Sequence, residues 1–227
     1  EVILNAYIEY GESCFDLFEG MFAIGIVDKR GISGTGKGTP KFLLARDAFG
    51  IKPVHYTIIN ETLYFASETR ALSTIFSSPF DLDRRSMQSF LSFGSVSQPM
   101  TIDRRISSLG PGTFAVWANK QLDTKEYWNL HSSSQPEADL AFHRSMKENV
   151  VELETRLLNA ISISTVSDTP LSLMLSSGID SVSIATILKS HQLVDFDAFF
   201  LKGFTSGPDY ESSVVNDIAS KLVLKIN

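Results

Sequence analysis

The chain has 227 residues, of which 43% are hydrophobic, and it carries a formal net charge of −6 with an isoelectric point near 5.2. Length and hydrophobic content predict a globular protein of one or two domains. The acidic balance and the scattered Lys and Arg residues argue against nucleic acid and anionic membranes as partners, and no apolar run reaches the roughly 20 residues of a membrane-spanning helix.

Short strands dominate the first part of the chain. Residues 1–10 predict a helix that Gly11 closes, and residues 21–28 and 41–47 predict apolar strands. Between these strands, the glycines of residues 29–40 have the wrong spacing for a phosphate loop and open no helix, so a long mobile hairpin connection is favoured. The further predicted elements are a hairpin of residues 54–59 and 62–67 around Asn60-Glu61, helices at 68–76 and 83–93, and a strand at 113–118.

A polar segment divides this part from the next. The composition of residues 131–139 predicts flexibility, and we interpret residues 131–143 as a linker between a domain of residues 1–130 and one of residues 144–227. After the linker, residues 145–164 predict an amphipathic helix. Its apolar stripe, which we expect to pack in the core, consists of Met146, Val150, Leu153, Leu157 and Ile161.

Two strand-helix units follow. Strands are predicted at residues 170–174 and 197–201, and each precedes a helix, at 182–189 and 211–222. This order is typical of a parallel sheet.

The loop between the first of these strands and its helix is the most informative motif. It reads Leu175-Ser176-Ser177-Gly178-Ile179-Asp180-Ser181. Small residues let the backbone approach an anion, and the amides and dipole at a helix start favour negative charge. Such a loop lies at the carboxyl ends of parallel strands, where ligands bind, so it predicts a nucleotide phosphate site, although not a Walker loop. The alternative is a plain turn in which Asp180 or Ser181 caps the helix.

Short motifs in a fixed order run along almost the whole chain. They are Glu1-Val2-Ile3-Leu4, Tyr10-Gly11, Glu19-Gly20-Met21-Phe22-Ala23, Ala45-Arg46-Asp47, Phe49-Gly50-Ile51-Lys52-Pro53, Phe65-Ala66-Ser67-Glu68, Pro111-Gly112, Tyr127-Trp128 and the Ser/Gly/Asp loop. In order and spacing they resemble the glutamine-hydrolysing asparagine synthetases and related amidotransferases. The loop itself resembles the Ser-Gly-Gly-x-Asp-Ser pyrophosphate loop of ATP-pyrophosphatase synthetases.

This resemblance implies a fold class and a reaction. The fold would be an α+β glutaminase-like sandwich of the N-terminal nucleophile hydrolase type, followed by the start of an α/β parallel-sheet ATP-pyrophosphatase domain. The glutaminase would release ammonia from glutamine, and the synthetase would use ATP with Mg²⁺ to adenylate the side chain of aspartate, which ammonia attacks to give asparagine. A cytoplasmic location, which the lone Cys14 also fits, and a homodimer are compatible with it.

The resemblance also implies site residues. Those expected to contact ATP or its pyrophosphate are Met174, Ser176, Ser177, Gly178, Asp180, Ser181 and Lys202, and Glu211 is expected on the Mg²⁺ and ATP side. For Glu211 a plain first-turn acid is an equal alternative. Ser177 and Val182 depart from the family pattern. We expect Ser177 to keep an ordinary backbone conformation while Gly178 adopts the unusual one.

Several family segments have no match here. The chain lacks the N-terminal nucleophilic cysteine and the glutamine-binding segments, and Cys14, inside an apolar stretch, is expected to be a packed thiol. We therefore assign no catalytic residue of the glutaminase and no metal site made by protein ligands alone. The chain is expected to be a fragment that is inactive by itself.

Two alternatives for function stay open. A related synthetase could form another amide, as in β-lactam ring closure or amidation of surface-polysaccharide sugars. A non-catalytic regulatory or interaction protein could derive from the same fold. Arg46-Asp47 and residues 50–53 are expected to serve packing and turn formation, not catalysis.

Overall fold

The computed structural model describes residues 1–30, 40–202 and 210–226. Most of the predicted glycine-rich connection, residues 31–39, lies outside the described residues, as does Gly203 after the last predicted strand. The chain divides into two compact units, Glu1–Pro136 and Glu137–Asn227.

The first unit contains two antiparallel sheets. Its strands are β1 (Ala23–Asp28), β2 (Lys41–Arg46), β3 (His55–Ile59), β4 (Thr62–Ala66), β5 (Ser107–Ser108), β6 (Thr113–Ala118) and β7 (Gln121–Glu126). One sheet has the order β1-β2-β6-β7 and the other the order β4-β3-β5. Its helices are α1 (Val2–Tyr10), a 3₁₀ helix (Gly11–Leu17), α2 (Thr69–Ser73) and α3 (Arg84–Phe93), and α4 (Leu130–His143) crosses the boundary between the units.

Strand β1 shows how the layers of the first unit pack. On one face Ile26 joins a buried cluster with Tyr7 of α1 and Phe15 of the 3₁₀ helix. On the other face a Cβ added to Gly25 would lie 3.3 Å from Phe42 of the neighbouring strand β2. It would lie 3.8 Å from Phe65, which belongs to the second sheet. The first sheet therefore lies between a helical layer and the second sheet, and its strands carry apolar residues on both faces.

Two tight turns close the hairpins at one end of these sheets. Asn60 and Glu61 have φ of 47° and 58°, and Asn119 and Lys120 have φ of 50° and 64°. Paired left-handed residues are the signature of two-residue hairpin turns, so the predicted turn at Asn60-Glu61 is confirmed. The Lys120 ammonium forms an ion pair with the Glu61 carboxylate, which joins the two hairpin tips.

The second unit is built on a parallel strand pair. Its elements are α5 (Met146–Ser164), β8 (Leu171–Met174), α6 (Ile179–Ser190), β9 (Phe196–Phe199) and α7 (Tyr210–Leu222). Strands β8 and β9 pair in parallel from Leu171 with Phe196 to Met174 with Phe199, which confirms the predicted parallel strand pairing. Helix α5 begins with a capping box in which Ser145 and Glu148 satisfy each other's backbone amides.

Two predictions on helices were wrong. Met146, Val150 and Leu153, expected in the core, are 79%, 55% and 58% exposed, so only the second half of the α5 stripe packs inward with α6. The segment predicted as a flexible linker is helical in α4. Asn129 supplies the reason, because its side-chain oxygen accepts hydrogen bonds from the amides of His131 and Ser132, 2.9 and 3.4 Å away.

Candidate functional site

The candidate site is the loop that joins β8 to α6. The backbone N–H of Leu175 donates to the carbonyl of Phe199 at 2.8 Å, which continues the parallel pairing one step beyond β8. The side chain of Leu175 is 2% exposed and packs with Ala185 and Val215. This buried anchor fixes the start of the loop at the carboxyl ends of both strands, the edge at which parallel sheets bind ligands.

Hydroxyl groups shape the loop. The Oγ atoms of Ser176 and Ser181 lie 2.9 Å apart, and the Ser181 Oγ also accepts from the Ser176 amide at 3.1 Å. The Ser176 Oγ accepts from the Gly178 amide at 3.2 Å. The two predicted serines are therefore brought together, and they close the loop from within.

No residue of the loop, 175–181, has a positive φ. Gly178 is the N-cap of α6 with φ −72° and ψ 145°, and Ser177 is not among the residues with positive φ. The expectation that Gly178 takes an unusual conformation was wrong, because side-chain hydrogen bonds, not a left-handed residue, turn the chain. Because φ of Ser177 is not positive, this serine avoids the left-handed region that favours glycine.

The remaining predicted residues of the loop are exposed. Asp180 lies in the first turn of α6, where the helix dipole favours a carboxylate, but the N-cap itself is Gly178, so neither Asp180 nor Ser181 is the capping residue. Met174 is 61% exposed at the end of β8, and Lys202 is exposed beyond β9. These side chains lie on the solvent side of the strand ends.

Glu211 joins the loop from the start of α7. Its Oε1 accepts from the Ser177 backbone amide at 3.4 Å and from the Ser177 hydroxyl at 3.3 Å. The two residues are 34 positions apart, and the parallel pairing of β8 with β9 brings them together. The loop thus presents hydroxyl and amide donors with one carboxylate from α6 and another from α7.

The buried polar corner of the first unit, formed by Arg46 and Asp47, serves structure. Arg46 is 4% exposed, and its guanidinium donates to the carbonyls of Lys52, Gly50 and Leu109 at 2.6–2.8 Å. Burial by itself raises the pKa of Asp47, but backbone amides of Lys52, Ile51 and Phe22 donate to its carboxylate and bring the pKa below its ordinary value. Every one of these contacts is internal, as the packing interpretation predicted.

Cys14 is a packed thiol. It is fully buried beside Phe15 and Tyr7, and burial raises the pKa of its thiol. A buried thiol with a raised pKa is a poor nucleophile. The prediction that Cys14 is a packed thiol is confirmed.

Metal clusters and membrane-spanning helices are both absent from the part of the chain that the structure describes. Within residues 1–30, 40–202 and 210–226, no group of three or more His, Cys, Asp or Glu side chains could hold a metal ion. Over the same residues no helix has the length and apolar character needed to cross a membrane.

Two family models match the sequence. Residues 1–128 match the glutamine amidotransferase domain, and residues 152–225 match asparagine synthase. The second match includes the whole β8–α6 loop and Glu211.

Curated relatives are similar to this chain over most of its length. The glutamine-hydrolyzing asparagine synthetase 1 of Bacillus subtilis strain 168 is 31% identical over 83% of this chain and 28% of its own length. The glutamine-hydrolyzing asparagine synthetase 2 of Arabidopsis thaliana is 28% identical over 84% and 26%. The amidase chyE of Penicillium rubens is 28% identical over 82% and 25%. The chain therefore spans little more than a quarter of the length of these relatives.

Proposed function

The chain belongs to the glutamine amidotransferase domain family through its residues 1–128, and we propose that it serves ATP-dependent, glutamine-hydrolysing amide synthesis. The amide is proposed to be asparagine, made from aspartate through a β-aspartyl-adenylate. The observation that carries the proposal is the hydroxyl-lined loop at the carboxyl ends of β8 and β9, within the segment that matches asparagine synthase.

The first unit is proposed to be the glutaminase part. Two antiparallel sheets beneath a helical layer are consistent with a sandwich of the N-terminal nucleophile hydrolase type. Cys14 is the single cysteine of the chain and is buried, so the proposal gives Cys14 no part in the attack on glutamine. We therefore expect no glutamate release when this chain alone is incubated with glutamine.

The loop of the second unit is proposed to bind the phosphates of ATP. Its residues Ser176, Ser177, Gly178 and Ser181 would donate hydrogen bonds to the β- and γ-phosphates, while Met174 and Lys202 would contact the rest of the nucleotide. When the aspartate carboxylate attacks the α-phosphorus, these donors would stabilise the departing pyrophosphate. Ammonia would then attack the acyl-adenylate and release AMP.

The carboxylates of Asp180 and Glu211 suit a Mg²⁺ ion that is bound together with the phosphates. Both are exposed acids at the loop, and oxygen atoms are the ligands that Mg²⁺ prefers, with phosphate oxygens and water completing its shell. The ion would supply positive charge that neutralises the phosphates. The role of the two carboxylates is to hold that charge beside the loop.

Calorimetric titration of ATP with Mg²⁺ tests the proposal. Wild-type protein should bind saturably. Asp180→Ala should bind at least about tenfold more weakly, because it loses a carboxylate that holds the Mg²⁺ ion beside the phosphates. The matched control is Asp195→Ala, which removes the same charge from an exposed residue before β9. Equal binding by Asp180→Ala and Asp195→Ala, or absence of MgATP binding by the wild type, would contradict the assignment.

A second candidate product is an amide other than asparagine. The similarity to the amidase chyE of Penicillium rubens and to the amidase chry2 of Gibberella zeae favours it. Titration of aspartate into the MgATP-loaded chain separates the two candidates, since binding of aspartate supports asparagine and selective binding of another carboxylate supports the second. A homodimer remains a prediction that sedimentation can test.

A further inference from the structure

The amides of the loop are not equally engaged. Those of Ser176 and Gly178 donate to the hydroxyl groups of Ser181 and Ser176 within the loop. The amide of Ser177 instead donates to the Glu211 carboxylate, and the Ser177 hydroxyl donates to the same oxygen atom. One carboxylate oxygen thus occupies both donors of Ser177.

A carboxylate oxygen and a phosphate oxygen make the same kind of contact. Both carry negative charge and accept hydrogen bonds from amides and hydroxyls at the start of a helix. An incoming phosphate would meet Glu211 at the Ser177 donors and would also be repelled by its charge, by about 1 kcal/mol for two charges 4 Å apart in water, equivalent to about fivefold in affinity.

We propose that Glu211 is an internal competitor of phosphate, which occupies the Ser177 donors in the nucleotide-free protein and must leave them when nucleotide binds. This inference rests on the proposed function, since it concerns the same loop. It assigns the serine at position 177 a specific part, because glycine there would offer Glu211 the amide alone, whereas serine offers two donors to one oxygen.

The competition predicts how the loop discriminates between forms of its ligand. Metal-free ATP or inorganic pyrophosphate brings only negative charge and must displace Glu211 against repulsion. In the presence of Mg²⁺ the displaced carboxylate gains a cation to bind, so its displacement is compensated. Glu211 would thus make the loop selective for the metal-bound form.

Binding of metal-free ligands tests the inference. Inorganic pyrophosphate and ATP are titrated in excess chelator into wild type, Glu211→Gln and Asp217→Asn. The control Asp217 is an exposed acid on the same helix, paired with Lys221 at 2.7 Å and not with the loop. Glu211→Gln should bind about three- to tenfold more tightly than wild type, while Asp217→Asn stays within about twofold. Ser177→Gly should give a smaller gain than Glu211→Gln.

A second measurement follows the contact itself. The backbone amide resonance of Ser177 should shift in Glu211→Gln and stay in place in Asp217→Asn when no ligand is present. An unchanged Ser177 resonance, or a gain in affinity equal in the two variants, would overturn the inference.

The outcomes separate this inference from the proposed function. If wild type binds MgATP and Glu211→Gln gains nothing for metal-free ligands, the inference fails and the proposed function stands. If Glu211→Gln binds metal-free ATP while wild type does not bind MgATP, the inference stands and the proposed function fails. If neither protein binds ATP under either condition, both fail.

Discussion

The Arg46–Asp47 corner of the first unit and the β8–α6 loop of the second are both polar clusters at strand ends, yet they differ in access to solvent. Arg46 and Asp47 are 4% and 1% exposed, and their partners are backbone groups together with the side chains of Gln98 and Ser108. Ser177, Gly178 and Asp180 are exposed, and the hydroxyls of the loop form hydrogen bonds of 2.9–3.3 Å.

The difference separates structural polar residues from candidate binding residues. A buried charge stays charged only when its surroundings satisfy it, and groups of the first unit do so at this corner. Exposed donors can exchange a protein acceptor for a ligand at small cost. The sequence predicts packing for Arg46-Asp47 and phosphate binding for the loop motif, and the burial of the two clusters differs in the same sense.

Replacement of Arg46 should have the largest effect. Arg46→Ala leaves the carbonyls of Gly50, Lys52 and Leu109 without their donor, and we expect the free energy of unfolding to fall by about 3–5 kcal/mol. Trp117 and Trp128 both belong to the first unit, so tryptophan fluorescence in urea reports its unfolding. The control Arg104→Ala removes a half-exposed ion pair and should cost at most about 1 kcal/mol. Equal losses of unfolding free energy in Arg46→Ala and Arg104→Ala would contradict the structural role of Arg46.

Gly112 tests how closely the backbone packs at the Arg46–Asp47 corner. Its φ is +58°, its amide donates to the Asp47 carbonyl at 2.9 Å, and an added Cβ would overlap the carbonyl oxygen of Trp128. Gly94 has φ +72° with open space around it. Both alanine variants incur conformational strain of about 1–3 kcal/mol, and Gly112→Ala should lose more than Gly94→Ala because of the overlap. Equal urea midpoints for Gly112→Ala and Gly94→Ala would show that the backbone near Gly112 can move to make room for the added methyl group.

Acid should destabilise the corner through Asp47. Its pKa is lower in the folded protein than in the unfolded chain, so its contribution to stability is present above the unfolded pKa of about 3.9 and is lost as pH falls through the folded pKa. Urea midpoints measured from pH 6 downward should therefore fall more steeply for wild type than for Asp47→Asn. Parallel profiles would mean that the amides of Ile51 and Lys52 do not favour the charged form.

The loop should respond least in stability. Ser181→Ala removes hydroxyl contacts that are partly exposed, and we expect a loss of about 0.5–1.5 kcal/mol, confined to the second unit. Hydrogen exchange of α6 amides measures it, with Ser190→Ala at the other end of the helix as the control. A loss as large as that of Arg46→Ala would make the loop a structural cluster as well.

Local signals were sufficient for much of the fold. Gly11 ends α1 with φ 59°, Asp83 caps α3 by accepting from the Ser86 amide at 2.8 Å, and the Asn60-Glu61 turn joins β3 to β4. Each depends on residues a few positions apart, so the sequence shows them directly. Strand β7 was missed because Gln121–Glu126 is mostly polar and exposed, and its pairing with β6 is what makes it a strand.

The sequence predicted which residues form the loop of the candidate site, but not how those residues are arranged. The serines, Gly178 and Asp180 follow from a strand-loop-helix pattern within seven residues. The contact of Ser177 with Glu211 depends on which strands pair, and the ordinary φ of Gly178 depends on hydrogen bonds from Ser176. Neither is encoded in local spacing. The signal that could have found the first is that the carboxyl ends of paired parallel strands meet.

The two ends of the first unit differ in their access to dissolved salt, because the ion pair between Lys120 and Glu61 lies at one of them. It joins the tips of two hairpins, one from each sheet, and both side chains are about two-thirds exposed. Dissolved salt screens such a pair, because the Debye length is about 8 Å at physiological ionic strength and about 3 Å at 1 M. The opposite end, where Arg46 contacts Leu109, is closed to ions. Rising ionic strength should therefore loosen the sandwich at its hairpin tips first.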